Sequence, residues 1–496
     1  MNHVRRHALA VATALALASL YNAPLLAQPQ IPAGRTAGTA FLADSIVGLK
    51  VGGWTPGMLN QGVIDGTNRN NGLTDTASVV FLQEYSSTGS SFARRLDPII
   101  MPYVATASGN RALTMASNSG SEGALRRSAD GQYLTMAGYN QSQPESLITR
   151  SSPTGNSPPL TNAVAPANAQ GAKFDPAVVN RTLGRVDAVG NVNTTTTMNN
   201  AYSGDNIRSA VSLDGQQFWT SGNIAGGSQN GTGGVRYATL GGTSSVQIDG
   251  SASPGLTTSN INRVDIFNGQ LYASNRQTNS NNGIWRIGDG TPAGGTPTSA
   301  VSGTKLFNYN DLVSGAISGR TPGTSSATAN FQGPYDFFFS NENTIYVADS
   351  ILGISKFTRN QAGTWGYSYT FARTGGVQND GSNGGPKQAG GTTGMAGRVL
   401  SNGSVMLFGT GGFSGTPVLG SLDTFGGNYL FAIEDTGANA DLMILDIAAA
   451  NEHFKGVALA PLETAVVPVP PAVALMLGGL GLLGASSWRR RRAAAA

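Results

Sequence analysis

The amino-acid sequence predicts an all-β fold, and three observations lead to that prediction. Glycine is abundant, with 68 residues among 496, while only 12% of the residues are charged. Outside one apolar segment at each end, no long stretch has the hydrophobic period of a helix. A short apolar strand also follows a tight turn five times along the chain. Such repetition indicates a fold assembled from similar antiparallel units.

The five turns share a composition suited to two-residue hairpins. They are Asp130-Gly131, Asp214-Gly215, Asn268-Gly269, Glu342-Asn343 and Asn402-Gly403. Asp-Gly and Asn-Gly accept the positive φ angles of such turns, so each turn predicts a strand–turn–strand unit. Three units are followed by a short strand that begins with glycine, at 234–237, 283–287 and 353–357. A repeated antiparallel unit of three or four strands is the blade of a β-propeller.

The predicted body covers residues 28–462 and holds six or seven blades. Two further units flank the five hairpins, at 45–51 with 79–85 and at 428–433 with 442–445, so we prefer seven. An early strand and a late strand should complete one blade. Stretches rich in Gly, Pro, Asn and Ser at 151–175, 288–303 and 375–397 predict surface loops. The alternative is a pair of β-sandwich domains, but no linker divides the repeats.

The first 27 residues have the pattern of a secretory signal peptide. Arg5 and Arg6 precede an apolar stretch at 8–20, and the best cleavage site lies between Ala27 and Gln28. This pattern predicts export through the Sec machinery and removal by signal peptidase. An uncleaved N-terminal anchor is the alternative.

The last segment, residues 463–496, combines three elements in a fixed order. A proline motif comes first, then an uncharged apolar run at 472–488, and finally a basic cluster. The motif residues are Val467, Pro468, Val469, Pro470 and Pro471, and the cluster is Arg489, Arg490, Arg491 and Arg492. As a helix, the run would span roughly 25 Å, which is at the short end of a transmembrane length. The arginines should stay on the cytoplasmic side and leave the body outside.

This order of elements resembles the PEP-CTERM sorting signal of Gram-negative bacteria. The resemblance implies that a membrane-embedded exosortase cuts near the proline motif, so that the protein ends at the cell surface or in the extracellular matrix. The family's usual Pro-Glu-Pro is here Pro468-Val469-Pro470. A plain C-terminal membrane anchor is the alternative. The resemblance concerns the destination of the protein and says nothing about the fold of its body.

Composition excludes several kinds of function. The net charge of +4 comes from the six arginines near the two ends, without which 25 basic residues face 27 acidic ones. The body has no clustered basic patch of the kind that binds nucleic acid. The chain has no cysteine, and His453 is the only histidine beyond the signal peptide, so ordinary zinc or copper sites and disulfides are excluded. We expect His453 to be structural.

Few residues of the body are candidates for chemistry. The loop 379–384 has oxygen ligands suited to Ca²⁺ but lacks the closing glutamate of an EF-hand, so we predict no metal or cofactor. Glu84, Glu122 and Asp336 could supply a glycosidase-like pair, although structural hydrogen bonding is the preferred interpretation. The remaining candidates are the tryptophans, which could stack on sugars or pack between blades, and two arginine pairs expected on solvated faces: Trp54, Trp219, Trp285, Trp365, Arg94-Arg95 and Arg126-Arg127.

Two function classes follow from these observations. The preferred hypothesis is an exported, non-enzymatic propeller of the surface or matrix that binds exopolysaccharide or envelope components. The alternative is an extracellular enzyme that acts on glycans through Asp and Glu. Three or more carboxylates converging on the ring axis would favour the enzyme.

Overall fold

In the described residues, six four-stranded antiparallel sheets are arranged as the blades of a propeller, beside two short two-stranded sheets. The computed structural model describes residue 35 and the ranges 38–52, 77–87, 92–116, 119–142, 179–224, 231–249, 259–277, 281–288, 295–316, 333–371, 376–378, 387–389, 391–411, 428–448 and 452–463. The predicted all-β propeller is therefore confirmed.

The described residues contain 28 strands and one helix. In chain order these are β1 (Ile46–Gly52), β2 (Ala77–Ser78), β3 (Val80–Ser87), β4 (Phe92–Ile100), β5 (Met115–Ala116), β6 (Arg126–Arg127), β7 (Tyr133–Tyr139), β8 (Arg181–Asp187), β9 (Val192–Met198), β10 (Ile207–Ser212), β11 (Gln217–Gly222), β12 (Val235–Thr239), β13 (Val246–Asp249), β14 (Ile261–Phe267), β15 (Gln270–Asn275), β16 (Gly283–Ile287), β17 (Gly303–Phe307), α1 (Tyr309–Ala316), β18 (Asp336–Asn341), β19 (Thr344–Asp349), β20 (Gly353–Arg359), β21 (Trp365–Thr370), β22 (Gly376–Gln378), β23 (Lys387–Ala389), β24 (Thr392–Val399), β25 (Val405–Gly411), β26 (Tyr429–Glu434), β27 (Leu442–Ile447) and β28 (Glu452–Leu459).

Blade 1 is built from both ends of the body. Its strand order is β28-β1-β3-β4, and β28 pairs antiparallel with β1 from Ile46 opposite Leu459 to Gly52 opposite Glu452. Blades 2 to 6 are consecutive in the chain: β6–β9, β10–β13, β14–β17, β18–β21 and β24–β27. The expected completion of one blade by an early and a late strand is therefore confirmed.

The blade number is six, so our preference for seven was wrong. The hairpin at Asn402-Gly403 joins β24 to β25, and the flanking unit at 428–433 with 442–445 forms β26 and β27 of the same sheet. A long connection at 412–427 separates the second strand of this blade from its third, so one blade has the sequence pattern of two. The other flanking unit is a real blade, which β28 completes.

The five predicted turns are confirmed as the hairpins between the first and second strands of blades 2 to 6. Gly131, Gly215, Gly269 and Gly403 have φ angles between +72° and +84°, which glycine adopts without strain. The three predicted short strands are also confirmed, as the third strands β12, β16 and β20, although in β12 the glycine, Gly234, comes directly before the first strand residue.

Inner strands of neighbouring blades run in the same direction, which makes the two ends of the ring different. Ala124 donates to the Arg208 carbonyl and Ala129 to the Ser212 carbonyl, so numbering increases together on blades 2 and 3. The hairpins between first and second strands therefore lie at one end of the ring, here called the turn end. The opposite end, where the inner strands begin, receives the connections from blade to blade and is called the loop end.

Six hydrophobic clusters hold the ring together, one between each pair of neighbouring blades. The cluster between blades 6 and 1 contains Phe408 and Leu430 with Ile46 and Val457, so side-chain packing closes the ring together with the β28–β1 ladder. Such blades bury their faces only against one another.

One loop prediction needs correction, and several other predictions concern residues that the structure does not describe. The predicted loop at 375–397 was wrong in three places, because residues 376–378 and 387–389 form the paired strands β22 and β23, and residues 392–397 belong to the inner strand β24. The candidate Ca²⁺ loop, the stretch 151–175 and both predicted targeting segments lie outside the described residues. In the part of the chain that the structure describes, no helix is long and apolar enough to cross a bilayer.

Candidate functional site

The ring centre is occupied by charged side chains from the inner strands and from the connection that leads to β6. We call this group the axial cluster. Its members among the described residues are Arg126 on β6, Arg208 on β10, Arg263 and Asp265 on β14, Asp336 on β18, Lys455 on β28, and Glu122 from the connection before β6. Four cations therefore meet three carboxylates.

Arg126 and Asp336 form a buried ion pair that joins opposite sides of the ring. Arg126 Nη1 donates to Asp336 Oδ2 at 3.3 Å, and Nη2 donates to Oδ1. The same guanidinium donates to the carbonyls of Val264 on β14 and Met395 on β24, each at 3.2 Å. Burial alone lowers the pKa of Arg126, but the charges of Asp336 and Asp265 outweigh it and raise the pKa above its usual range. Arg126 thus connects blade 2 with blades 4, 5 and 6.

Arg263 and Lys455 also cross the centre, and both donate mainly to backbone carbonyls. Arg263 donates to Ser121 O at 2.8 Å and to Thr393 O at 3.1 Å, while its Nε lies 3.8 Å from Asp336 Oδ2. Lys455 Nζ donates to Ser119 O. Burial lowers the pKa of Arg263 to about 10 and that of Lys455 to about 8.

Arg208 is buried among neutral amides. Its Nε donates to Asn206 Oδ1 at 3.1 Å, its Nη2 to Asn260 Oδ1 at 3.3 Å, and its Nη1 to Asn262 Oδ1. Within the described residues it forms no ion pair with a carboxylate. Burial and the nearby charge of Arg276 lower the pKa of Arg208 to about 10, against the opposing effect of the Asp205 carboxylate.

Glycines let the inner backbones approach closely around Lys455. A Cβ on Gly456 would lie 2.4 Å from the Gly123 carbonyl oxygen, and one on Gly394 would lie 2.5 Å from the Lys455 carbonyl oxygen. Real Cβ atoms do not approach backbone so closely, so glycine is required at both positions. The centre is therefore densely packed at the level of blades 6, 1 and 2.

Asp265 is the most exposed carboxylate of the axial cluster, with 28% of its side chain accessible. Its nearest axial cation is Arg126, whose Nε lies 3.9 Å from Asp265 Oδ2. Its own neighbour Ile266 donates a backbone N–H to Oδ1 at 2.8 Å. Desolvation raises the pKa of Asp265 to about 6, against the opposing effect of Arg126. No group of three or more potential metal ligands occurs in the described residues.

The three carboxylates singled out from the sequence do not form one site. Glu84 lies on β3, away from the inner strands, and accepts from Arg35 at 3.0 Å and Arg95 at 2.8 Å. Glu122 accepts from Tyr139 Oη at 2.8 Å and from the Ala116 N–H at 3.1 Å. Asp336 is paired with Arg126. Structural hydrogen bonding, which was the preferred interpretation, is thus observed for all three.

The described tryptophans lie in blade cores, as one of the two sequence interpretations expected. Trp219 and Trp285 pack in the cluster between blades 3 and 4, and Trp365 packs between blades 4 and 5. Trp54 lies outside the described residues. His453 is buried on β28, in agreement with a structural role.

The expectation of solvated arginine pairs was only partly correct. Arg94 is 42% exposed on β4 and pairs with Asp446, but Arg126 is buried at the ring centre. Arg208 and Arg263 were missed altogether. Each is a lone arginine within an apolar strand, at 207–212 and 261–267, and a charge at such a position is the signal that could have identified them.

Comparison with known proteins yields only distant similarity. No protein-family model matches the chain, and no curated protein resembles it in sequence. The fold is similar to the GH74 enzyme of Niastella koreensis, with 11% identity and a TM-score of 0.34 over 84% of this chain and 46% of that one. Another similar structure is AztD from Citrobacter koseri, with 7% identity and a TM-score of 0.26 over 83% of this chain and 98% of that one. A puromycin-hydrolyzing peptidase of Mycobacterium tuberculosis has 11% identity and a TM-score of 0.30 over 84% and 57%. This chain spans less than half the length of the GH74 enzyme, and similarity this distant gives no argument about function.

Proposed function

We propose that this chain is an exported surface or matrix protein whose propeller binds exopolysaccharide or envelope components and does not cleave them. Its destination is inferred from the N-terminal segment and from the order of proline motif, apolar run and arginines at the C-terminal end. In this proposal signal peptidase cuts after Ala27, and an exosortase cuts near Pro468–Pro471.

The composition of the axial cluster is the observation that favours binding. Asp336 is ion-paired with Arg126, and Glu122 accepts two hydrogen bonds, so neither is placed to transfer a proton to a ligand. The cations outnumber the carboxylates, and most of their N–H groups donate to the protein's own carbonyl and amide oxygens. Arg208 keeps one N–H on each Nη beyond its bonds to the described residues, and such donors suit the recognition of oxygen-rich polymers better than acid–base catalysis.

Co-sedimentation with the producing cell's own polysaccharide tests this proposal. We expect the purified full chain to sediment with the polymer and to leave its length distribution unchanged in size-exclusion chromatography. The control is the same polymer incubated without protein. Failure to sediment would contradict binding, and progressive shortening of the polymer would contradict the non-enzymatic part.

Intact-mass measurement of protein from the native cell surface tests the destination. The mass should correspond to a chain that starts at Gln28 and ends near the proline motif. A chain that keeps Trp488 and the four terminal arginines would instead indicate a plain membrane anchor.

The alternative function, a glycan-active enzyme, is favoured by one observation. Asp265 combines partial exposure with a pKa raised to about 6, as in carboxyl groups that act as general acids near neutral pH. If the polymer is shortened, the Asp265→Asn variant should abolish the shortening while Asp214→Asn, at an exposed turn, should not. Loss of activity in both variants would argue against Asp265 as the acid.

A further inference from the structure

The loop end of the ring centre has a second arginine close to Arg208. Arg276 follows β15, its guanidinium lies over the Tyr335 ring with Cζ at 4.4 Å from the centroid, and its Nη1 donates to Tyr335 Oη at 2.6 Å. Asn260 joins the two arginines, because its carbonyl accepts from the Arg276 backbone N–H at 3.1 Å and its side-chain oxygen accepts from Arg208 Nη2 at 3.3 Å. Two like charges in a partly desolvated place disfavour each other, and a bound anion would relieve that repulsion.

Arg208 also has N–H groups that are not used in its hydrogen bonds to the described residues. A guanidinium has five N–H bonds, and three of them are directed to the oxygens of Asn206, Asn260 and Asn262. One N–H on each Nη therefore remains beyond these bonds, as judged from the described residues. These three partners are neutral, so the positive charge itself is not neutralised by an ion pair there. The side chain is only 4% exposed, and its amide partners fix its orientation.

An unsatisfied donor lies on the other side of Arg276. Asn282 is fully buried, and its Nδ2 has no acceptor among the described residues. A Cβ built on Gly333 would lie 2.4 Å from Asn282 Nδ2 and 3.5 Å from Arg276 Cγ, so the amide and the aliphatic part of the arginine both border Gly333. Gly333 has a φ of +96°, so the chain keeps a glycine where a side chain would fill this space. A buried donor without an acceptor is unusual in a folded protein, which makes the Asn282 amide a candidate contact for a ligand.

We propose that Arg208 and Arg276, with the Asn282 amide, form a subsite for a carboxylate, and that the ligand is an acidic polysaccharide containing uronate residues. This inference rests on the proposed polysaccharide binding and specifies its chemistry. A planar carboxylate accepts two parallel N–H bonds from a guanidinium, and the neighbouring amides can bind sugar hydroxyls. The site lies at the loop end, where the connections between blades leave the strands.

The experiment compares one polymer in two states. Isothermal titration of the full chain with oligogalacturonate should show binding, and methyl esterification of the same oligomer should weaken it by about tenfold or more, because each charge-assisted hydrogen bond contributes at least that factor. Inorganic phosphate, added as a competitor, reports whether any small anion occupies the site. Competition at equal concentration would contradict specificity for a carboxylate.

Variants at both arginines test the assignment. Arg208→Gln and Arg276→Gln should each weaken oligogalacturonate binding by about tenfold and abolish the difference between acid and ester. Arg359→Gln is the matched control, because Arg359 is exposed near the turn end and donates to Gly363 O at 3.0 Å, so its loss should leave binding unchanged. Thermal unfolding identifies any variant that is misfolded. Because Arg276 is less buried than Arg208, its variant keeps the test valid if Arg208→Gln does not fold.

The outcomes separate this inference from the function on which it rests. Equal binding of acid and ester, or unchanged binding by both arginine variants, would overturn the carboxylate subsite even if the chain sediments with its own polysaccharide. Absence of sedimentation with that polysaccharide would overturn the proposed function. Loss of ester discrimination in Arg208→Gln and Arg276→Gln, with normal behaviour of Arg359→Gln, would support both.

Discussion

Arg126 and Arg208 occupy similar places in neighbouring blades but have different hydrogen-bond partners. Both lie on inner strands, and they are 3% and 4% exposed. Arg126 pairs with Asp336 and reaches the backbones of two further blades. Among the described residues, Arg208 donates to amide oxygens on or next to the inner strands of blades 3 and 4. The difference indicates that Arg126 holds the ring together, whereas Arg208 keeps part of its capacity for an external anion.

Removing the charge of Asp336 should have the largest effect on this comparison. In Asp336→Asn the Arg126 guanidinium stays buried without its partner, which is expected to lower the free energy of unfolding by about 3–5 kcal/mol. Urea denaturation followed by circular dichroism measures this loss.

The double variant Arg126→Met/Asp336→Asn is the control for that prediction. It removes the Arg126 guanidinium that the single variant leaves without its main partner, although Arg263 still loses its carboxylate neighbour at 3.8 Å, so it should be more stable than the single variant Asp336→Asn. A double variant that is less stable by the sum of the two single losses would contradict the ion-pair interpretation.

Removing Arg208 should have a smaller effect on stability. Arg208→Met deprives three amide oxygens of a donor but leaves no charge unpaired, so we expect a loss of about 1–3 kcal/mol by urea denaturation. Arg359→Met, at an exposed position, should change stability by less than about 0.5 kcal/mol. A loss as large as that of Asp336→Asn would show that Arg208 is also essential to the ring.

Removing the charge of Asp265 should have the smallest effect, and it should raise the free energy of unfolding, whereas the changes at Asp336 and Arg208 lower it. Its pKa is about 6 in the folded protein and 3.8 in the reference state, so the folded state favours the neutral carboxyl. The resulting stabilisation is complete below pH 3.8 and is lost as pH rises through 6. Asp265→Asn should therefore raise the free energy of unfolding at pH 7 by about 1–2 kcal/mol. This gain is smaller than the full energy of the pKa shift because the side chain is partly exposed to solvent.

The measurement for Asp265 is the urea midpoint of wild type and variant at pH 4 and pH 7. The gain should be present at pH 7 and absent at pH 4. An equal gain at both pH values would show that the carboxyl does not titrate in this range.

Local sequence predicted the blades well because their hairpins are local. Asp130-Gly131 and Asn402-Gly403 encode their own turn geometry, and the strands beside them follow at once. The blade count failed because β25 and β26 are neighbours in space but are separated by 412–427, and turn residues contain no information about pairing across such a distance.

The axial cluster was less predictable for the same reason. Arg126 was assigned to a solvated face because its neighbour Arg127 suggested an exposed basic pair. Its actual partner, Asp336, is 210 residues away and becomes adjacent only when the ring forms. Asp336 was selected from the sequence as an acid beside an apolar strand, but its partner could not be known. Glu84 was selected by the same criterion and lies off the axis.

The pairing of β1 with β28 sets the order in which the chain can finish folding. β1 is synthesised early, but its edge stays unpaired until residues 452–459 arrive, so a long part of the chain must appear before blade 1 is complete. Contacts of such large sequence separation form slowly. An exposed strand edge can pair with other chains in the meantime. The pairing of β28 with β1 therefore completes the ring, and a chain truncated before Glu452 would keep the β1 edge unpaired and be prone to aggregate.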